Sequence, residues 1–248
     1  QTHAILPQPN NLPTSYSALC TVLKSEMIQV QQAHMCPKNC VIYVGEHSQD
    51  EACPKCNCPR YKPLDSLGRR AATKYFSYCS LKDSLDLLFK CSNIAQIIQE
   101  AGGCSRLLLS DIQDTDTFND IAKEEGVQVM LGLNTDGVNP FHGQNKQHSF
   151  WPLIFTIFNL PKNLRTKADA FLLYGIVPSQ LDRQGHGVAP DLTAYQQHMI
   201  DELIQLCSVE IYSEYSQAPV TVKVKLLRYM MDFQGYTKYF KMSGSTAY

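Results

Sequence analysis

The chain has 248 residues, is 44% hydrophobic and 18% charged, and carries a net charge of −1. That length supplies one sizeable domain or two modest ones with a core that needs no staples, and the near-neutral balance argues against a strongly basic nucleic-acid module. No apolar run approaches the roughly 20 residues of a membrane helix, and the opening QTHAILPQPNNLP lacks the basic start and long apolar stretch of a secretory signal. No membrane association is therefore expected. The first residue is not Met and the closing SGSTAY completes no recognisable element, so the sequence reads as a fragment.

Pro7, Pro9 and Pro13 break any helix at the N-terminus. Thr14 or Ser15 is placed to cap a helix over Tyr16–Gln32, where Leu19, Val22, Leu23, Met27 and Val30 keep near-helical spacing. A Cys-rich stretch, Cys36–Cys58, and a basic linker to Lys74 follow. Ser80–Phe89 and Asn93–Glu100 read as short helices closed by Gly102-Gly103, and Asp116 or Thr117 starts another that stops at Gly126. The pattern then turns to β. Val127–Thr135, Ser149–Asn159 and Ala168–Val177 read as strands, and Val220–Met231 as a fourth. Thr193–Cys207 is an amphipathic helix with Tyr195, Met199, Ile200, Leu203, Ile204 and Cys207 on one face.

Strand, strand, strand, helix, strand predicts an α+β (α/β) fold, and the change of pattern falls between Gly103 and Gly126. The chain divides into an irregular segment and helix (1–33), a Cys-rich module (34–62), a basic linker with helices (63–126) and a sheet-bearing core (127–248).

Ten cysteines without a secretory signal point to a metal site rather than a disulfide framework. Cys36 and Cys40 form a C-x3-C pair, and Cys53 and Cys56 a C-x2-C pair. Each close pair presents two thiolates at the ~2.3 Å that tetrahedral Zn²⁺ requires. Four thiolates leave no open position, so such a zinc is structural. Cys58, His34 and His47 stand as alternative ligands. Cys20, Cys79, Cys91, Cys104 and Cys207 show no pairing and read as packing residues.

GLNTDGVNPF places Asp136 at the end of a strand, before Gly137. Asp-Gly alone is a turn signal, but VNPFHGQNKQHS is too long for a two-residue hairpin. Asp232 ends the fourth strand candidate in a similar way, and counting by two puts it on the face of Val222, Val224, Leu226, Arg228 and Met230. If the first and fourth strands are parallel neighbours, the two carboxylates converge at ends ~4.8 Å apart. Converging carboxylates recruit Mg²⁺ or Mn²⁺, which can activate a water or 3′-hydroxyl against a phosphodiester.

The chain resembles the transposases of CACTA (En/Spm-type) DNA transposons. The likeness lies in CPKNCVIYVGEH with CPKCNCPRYK, in FSYCSLKDSLDLLFK, in LGLNTDGVNPF with SFWPLIFTIFNLPKNLR, in DELIQL and in LRYMMDFQGY with SGSTAY, all in the family's order. It implies an RNase H-like core that cuts and joins DNA with three acids. The family's cysteine pairs fall on Cys36, Cys40, Cys53 and Cys56. Its first acid falls on Asp136 and its second on Asp232, where MDFQGY departs from the family's flanking residues. The third acid lies further downstream in the family. Asp201, Glu202 and Glu210 precede the fourth strand and are not nominated. The implied partner is transposon-end DNA in the nucleus, with self-association a further expectation. Arg60, Lys62, Arg69, Arg70 and Lys74 would then contact phosphates. The competing expectation is a zinc-bearing DNA- or protein-binding module that keeps the fold without the chemistry.

Overall fold

The structure, a computed structural model, describes residues 15, 17, 27–102, 110–139, 150–178, 180–181, 187–188, 190–231 and 240. Among them one mixed sheet of seven strands organises the molecule. Its strands are β1 (Val30–His34), β2 (Tyr75–Cys79), β3 (Val127–Asn134), β4 (Phe150–Ile157), β5 (Leu172–Pro178), β8 (Val209–Ser213) and β9 (Ala218–Met230). They lie in the order β1-β2-β5-β4-β3-β9-β8. Every described pairing is antiparallel except β3 with β9. A separate two-stranded ribbon joins β6 (Gln180–Leu181) to β7 (Gly187–Val188). The sheet takes strands from both sides of the expected divisions at 34, 62 and 126.

Five α-helices are described: α1 (Leu81–Lys90), α2 (Ser92–Gln99), α3 (Asp116–Ala122), α4 (Lys162–Arg165) and α5 (Thr193–Gln205). Ser80 caps α1 by accepting from the Asp83 N–H, and Thr115 caps α3 through Phe118 N–H. The main core packs Leu81, Leu85 and Phe89 of α1, Ala95 and Ile98 of α2, and Tyr195 and Met199 of α5 against one sheet face. Phe118 of α3 packs with Met130 and Phe158 on the other face. β3 therefore lies between two layers, and Gln128–Leu133 are all buried, which explains its nearly unbroken apolar reading.

Two expectations change. Val30–Gln32 belong to β1 rather than to the end of a helix, and residues 18–26 lie outside the described residues. The inward face of α5 is also rotated. Ala194 and His198 are buried with Tyr195 and Met199, whereas Ile200, Ile204 and Cys207 are exposed. His198 is held inward by a hydrogen bond between its Nδ1 and Tyr174 Oη. Glu202, one turn further along α5, accepts from Ser80 Oγ and Leu81 N–H at 2.7 Å each. That polar pairing fixes the helix's rotation in a way its apolar spacing does not reveal.

A bulge interrupts the parallel ladder. Leu131 faces Leu226 but Gly132 faces Arg228, so Leu227 is an extra residue in β9. Side-chain parity reverses there. Val222, Val224 and Leu226 meet the main core, as do Tyr229 and Met231, whereas Leu227 and Met230 join Phe118 on the opposite face. The count by two that grouped Arg228 and Met230 with Val222 is thus corrected by one inserted residue. Gly132 stands beside the bulge. A Cβ there would lie 2.6 Å from the Phe158 ring and 2.9 Å from Met230 Cε.

Candidate metal centre and strand-end aspartate

The four expected cysteines come together. The Sγ atoms of Cys36, Cys40, Cys53 and Cys56 all lie within 4.8 Å of one another, with Cys36 and Cys56 at 3.5 Å. Two tight loops deliver them. In the first, Asn39 N–H bonds to Cys36 O at 2.9 Å and Lys38 N–H approaches Cys36 Sγ at 3.4 Å. In the second, Asn57 N–H bonds to Cys53 O at 2.8 Å, and Cys53 N–H to Cys58 O at 2.9 Å. Asn39 and Asn57 take the left-handed conformation, φ 61° and 56°, a region asparagine tolerates better than other side chains. Val41 and Tyr43 pack on the buried Cys36 and Cys53 to make a small separate core.

The donor set fits a tetrahedral metal such as zinc. Four sulfurs at ~2.3 Å from one ion are about 3.8 Å apart, within the spread seen here. Crowding also argues for a cation. Burial, followed by the neighbouring thiols, pushes Cys40 up to about 12, and burial raises Cys36. Cys56 is drawn down to about 6, first by the Cys58 backbone N–H. A bound metal would replace the protons that the crowded thiols otherwise retain.

The two alternative histidines are engaged elsewhere. Cys58 stands outside the four-sulfur group. His34 Nδ1 accepts from Arg60 Nε at 3.0 Å, and burial and then the Arg60 charge lower its pKa. His47 Nδ1 pairs with Asp50 at 3.0 Å.

The basic residues separate into two kinds. Arg60 points inward: it donates to Ser48 O at 2.7 Å, Asp50 O at 3.1 Å and His34, and it lies over the rings of Tyr43 and Tyr61. Lys74 is half-buried and donates to Asn39 Oδ1. Both tie the module together, and neither is free for a phosphate. Lys62, Arg69 and Arg70 are exposed; Arg69 pairs with Asp65 and Arg70 with Glu51.

Asp136 sits two residues past the end of β3 and is exposed. Its Oδ1 accepts from Gly137 N–H at 2.6 Å. The backbone around it is tied on both sides. Thr135 N–H bonds to Met230 O of β9 at 3.4 Å, and Val138 exchanges two 2.9 Å hydrogen bonds with Phe150. Gly137 serves packing rather than an unusual backbone angle, since a Cβ there would lie 3.2 Å from the Trp151 indole. Asp232 lies outside the described residues. Among the described residues, the four cysteines are the one group of three or more candidate ligands drawn close together. Asp136 alone therefore does not make a Mg²⁺ or Mn²⁺ site.

The match to known families falls on the sheet-bearing half. Residues 110–248 fit the family described as "Transposase family tnp2", and the chain belongs to that family. A search of curated proteins finds no match. No helix among the described residues is long and apolar enough to cross a membrane.

Proposed function

We propose that this chain is the zinc-bearing and first catalytic part of a CACTA-type transposase, which cuts and joins DNA at transposon ends. The family match supports the transposase reading. The parallel register of β3 and β9 carries the rest. Its last pair is Asn134 with Met230, so Asp136 and Asp232 each follow two residues later. Continued, that register brings the two carboxylates to neighbouring strand ends about 4.8 Å apart. The bulge at Leu227 supports their convergence. Met130 and Met230 share the Phe118 side of the sheet, and alternation from each carries Asp136 and Asp232 to that same side. A regular ladder through the same sequence, with Gly132 opposite Leu227, would put them on opposite sides.

The functional division we infer is a zinc module over 34–62, a linker with helices over 63–126 and an RNase H-like core over 127–248. The antiparallel run β3-β4-β5, then α5, then β9 parallel to β3, is consistent with the first part of such a core. Mg²⁺ or Mn²⁺ would be held by Asp136 and Asp232, and when bound supplies charge to the attacking and leaving oxygens of a phosphodiester. The chain's own part is positioning, through the Thr135 and Val138 backbone bonds and the Trp151 wall. Glu202 is committed to α1 and is not assigned as the third acid. The setting would be the nucleus, the partner DNA.

The test is a protein extended past Tyr248 and given terminal DNA of its own element. Cutting or joining is expected only with Mg²⁺ or Mn²⁺. Asp136→Ala and Asp232→Ala should each abolish it while zinc content and melting temperature hold. Unchanged cleavage by Asp136→Ala ends the assignment. The competing reading, a non-catalytic zinc-bearing DNA- or protein-binding descendant, draws on the cysteines being the one assembled ligand group among the described residues. Metal-independent DNA binding without cleavage would favour it.

A further inference from the structure

The segment Tyr61–Ala72 projects from the cysteine module as a closed hairpin. Tyr61 and Ala72 bridge at its base, and Lys62 N–H bonds to Ala71 O at 2.9 Å. Asp65 fixes the tip: Oδ1 accepts from Leu67 N–H at 2.9 Å and Arg69 N–H at 2.8 Å, while Oδ2 accepts from Arg69 Nε at 2.7 Å. Gly68 closes the turn at φ 71°. This ordered tip holds Leu64 at 65% exposure and Leu67 at 73%.

The flanks indicate what meets those leucines. Lys62, Arg69 and Arg70 stand beside them, all exposed. Between Lys38 and Lys74 the sequence has seven Lys and Arg against four Asp and Glu, although the whole chain carries −1. The Arg69–Asp65 and Arg70–Glu51 pairs are both solvent-exposed, and exposed pairs hold weakly enough for phosphate to compete. Arg70 also lies 4.0 Å over the Tyr61 ring, which keeps its guanidinium against the hairpin. Exposed apolar side chains flanked by cations are the parts of a minor-groove wedge: the apolar groups enter between base steps and the cations hold the phosphates on either side.

We infer that the Tyr61–Ala72 hairpin is a DNA-deforming wedge, with Leu64 and Leu67 inserted at a flexible base step and Lys62 and Arg69 on the flanking phosphates. The inference rests on the DNA-binding reading above and deepens it: the partner is a bent duplex, recognised by deformability rather than base edges.

The probe is a duplex of roughly 30 base pairs with a central TA step. It carries a fluorophore pair at its ends and 2-aminopurine at the step. The 248-residue chain, loaded with zinc, should bend it by roughly 20–90° and brighten the 2-aminopurine as the step unstacks. Leu64→Ala with Leu67→Ala should abolish both signals and leave the salt dependence of binding unchanged. Lys62→Ala should lower the salt slope by about one and keep the bend. Zinc content and melting temperature serve as folding controls. Duplex binding with no bend, or a bend that survives the double leucine change, overturns the wedge and leaves DNA binding standing. No duplex binding by the unaltered chain overturns both readings. Self-association lost on the leucine change, with DNA signals intact, overturns the wedge in favour of contact between copies.

Discussion

The cysteine module and the end of β3 present candidate chemistry in opposite ways. The module gathers four ligands from 21 residues of chain, Cys36 to Cys56, through two local turns and an internal arginine. At the end of β3 one aspartate stands exposed, and its inferred partner arrives from 96 positions away through a parallel ladder. Local turns fix a ligand set with little help from the rest of the fold. A strand-end site inherits every detail of sheet register, so its geometry depends on packing far from the carboxylates.

Substitutions at four positions and one pH series would break or sharpen this contrast. The largest effect is expected from Cys53→Ser. Zinc should fall from about one per chain to none, and amide exchange across Met35–Arg60 should become fast, because metal binding and module folding are coupled. Retained zinc with unchanged exchange would remove the metal from the account. Gly132→Ala comes next. The added methyl meets Phe158 and Met230 beside the bulge, and overpacking of this kind costs about 3 kcal/mol, read as a lower denaturation midpoint. Arg60→Ala should cost about 2 kcal/mol, since it strips charged hydrogen bonds from Ser48 O and Asp50 O. Arg60→Lys should not restore the loss, because an ammonium cannot span the same fork.

A smaller effect should follow pH. His198 is buried against Tyr174, Tyr78 and Phe76, and burial lowers its pKa from 6.5, with Asp201 pulling the other way. The unfolded chain therefore binds a proton more readily at this position. Its contribution to stability is complete above pH 6.5 and is lost as pH falls through the lowered folded value. Unfolding midpoints between neutral and mildly acidic pH should fall, and His198→Gln should flatten the curve. Smallest of all is Asp136→Asn, expected to change stability by less than about 0.5 kcal/mol because the group is exposed. A large loss would mean that Asp136 holds the loop rather than a ligand.

Much of this arrangement was legible in the sequence because its signals are local. The two cysteine pairs needed only spacing, and β3, β4, β5 and β9 announced themselves through β-branched and aromatic runs. β1, β2 and β8 were missed. Val30–His34 buries only Ala33 at a sheet edge, Tyr75–Cys79 follows a basic linker, and Val209–Ser213 is short with one strongly buried apolar residue, Ile211. Their strand character comes from their partners. The basic stretch from Arg60 to Lys74 read as one surface, yet Arg60 faces carbonyl oxygens inside the module. Residue type gives charge but not direction. The rotation of α5 escaped for a related reason, because His198 and Glu202 are placed by Tyr174 and Ser80, which are distant in sequence. Leu227 carried no mark at all. A leucine among leucines does not announce that it is the odd one out in a ladder.

That extra leucine makes chain length itself heritable information in β9. A transposon copy accumulating point changes there would lose packing gradually. A copy losing the Leu227 codon would straighten the ladder, keep Gly132 opposite Arg228 and leave Tyr229, Met230 and Met231 on their present sides, whereas a copy losing one codon between Arg228 and Met231 would turn Met231 away from the main core. Decayed copies of such an element should therefore be sorted by the spacing from Arg228 to Asp232 before they are sorted by identity. A copy with a different count there is predicted to be silent even when both aspartates are intact.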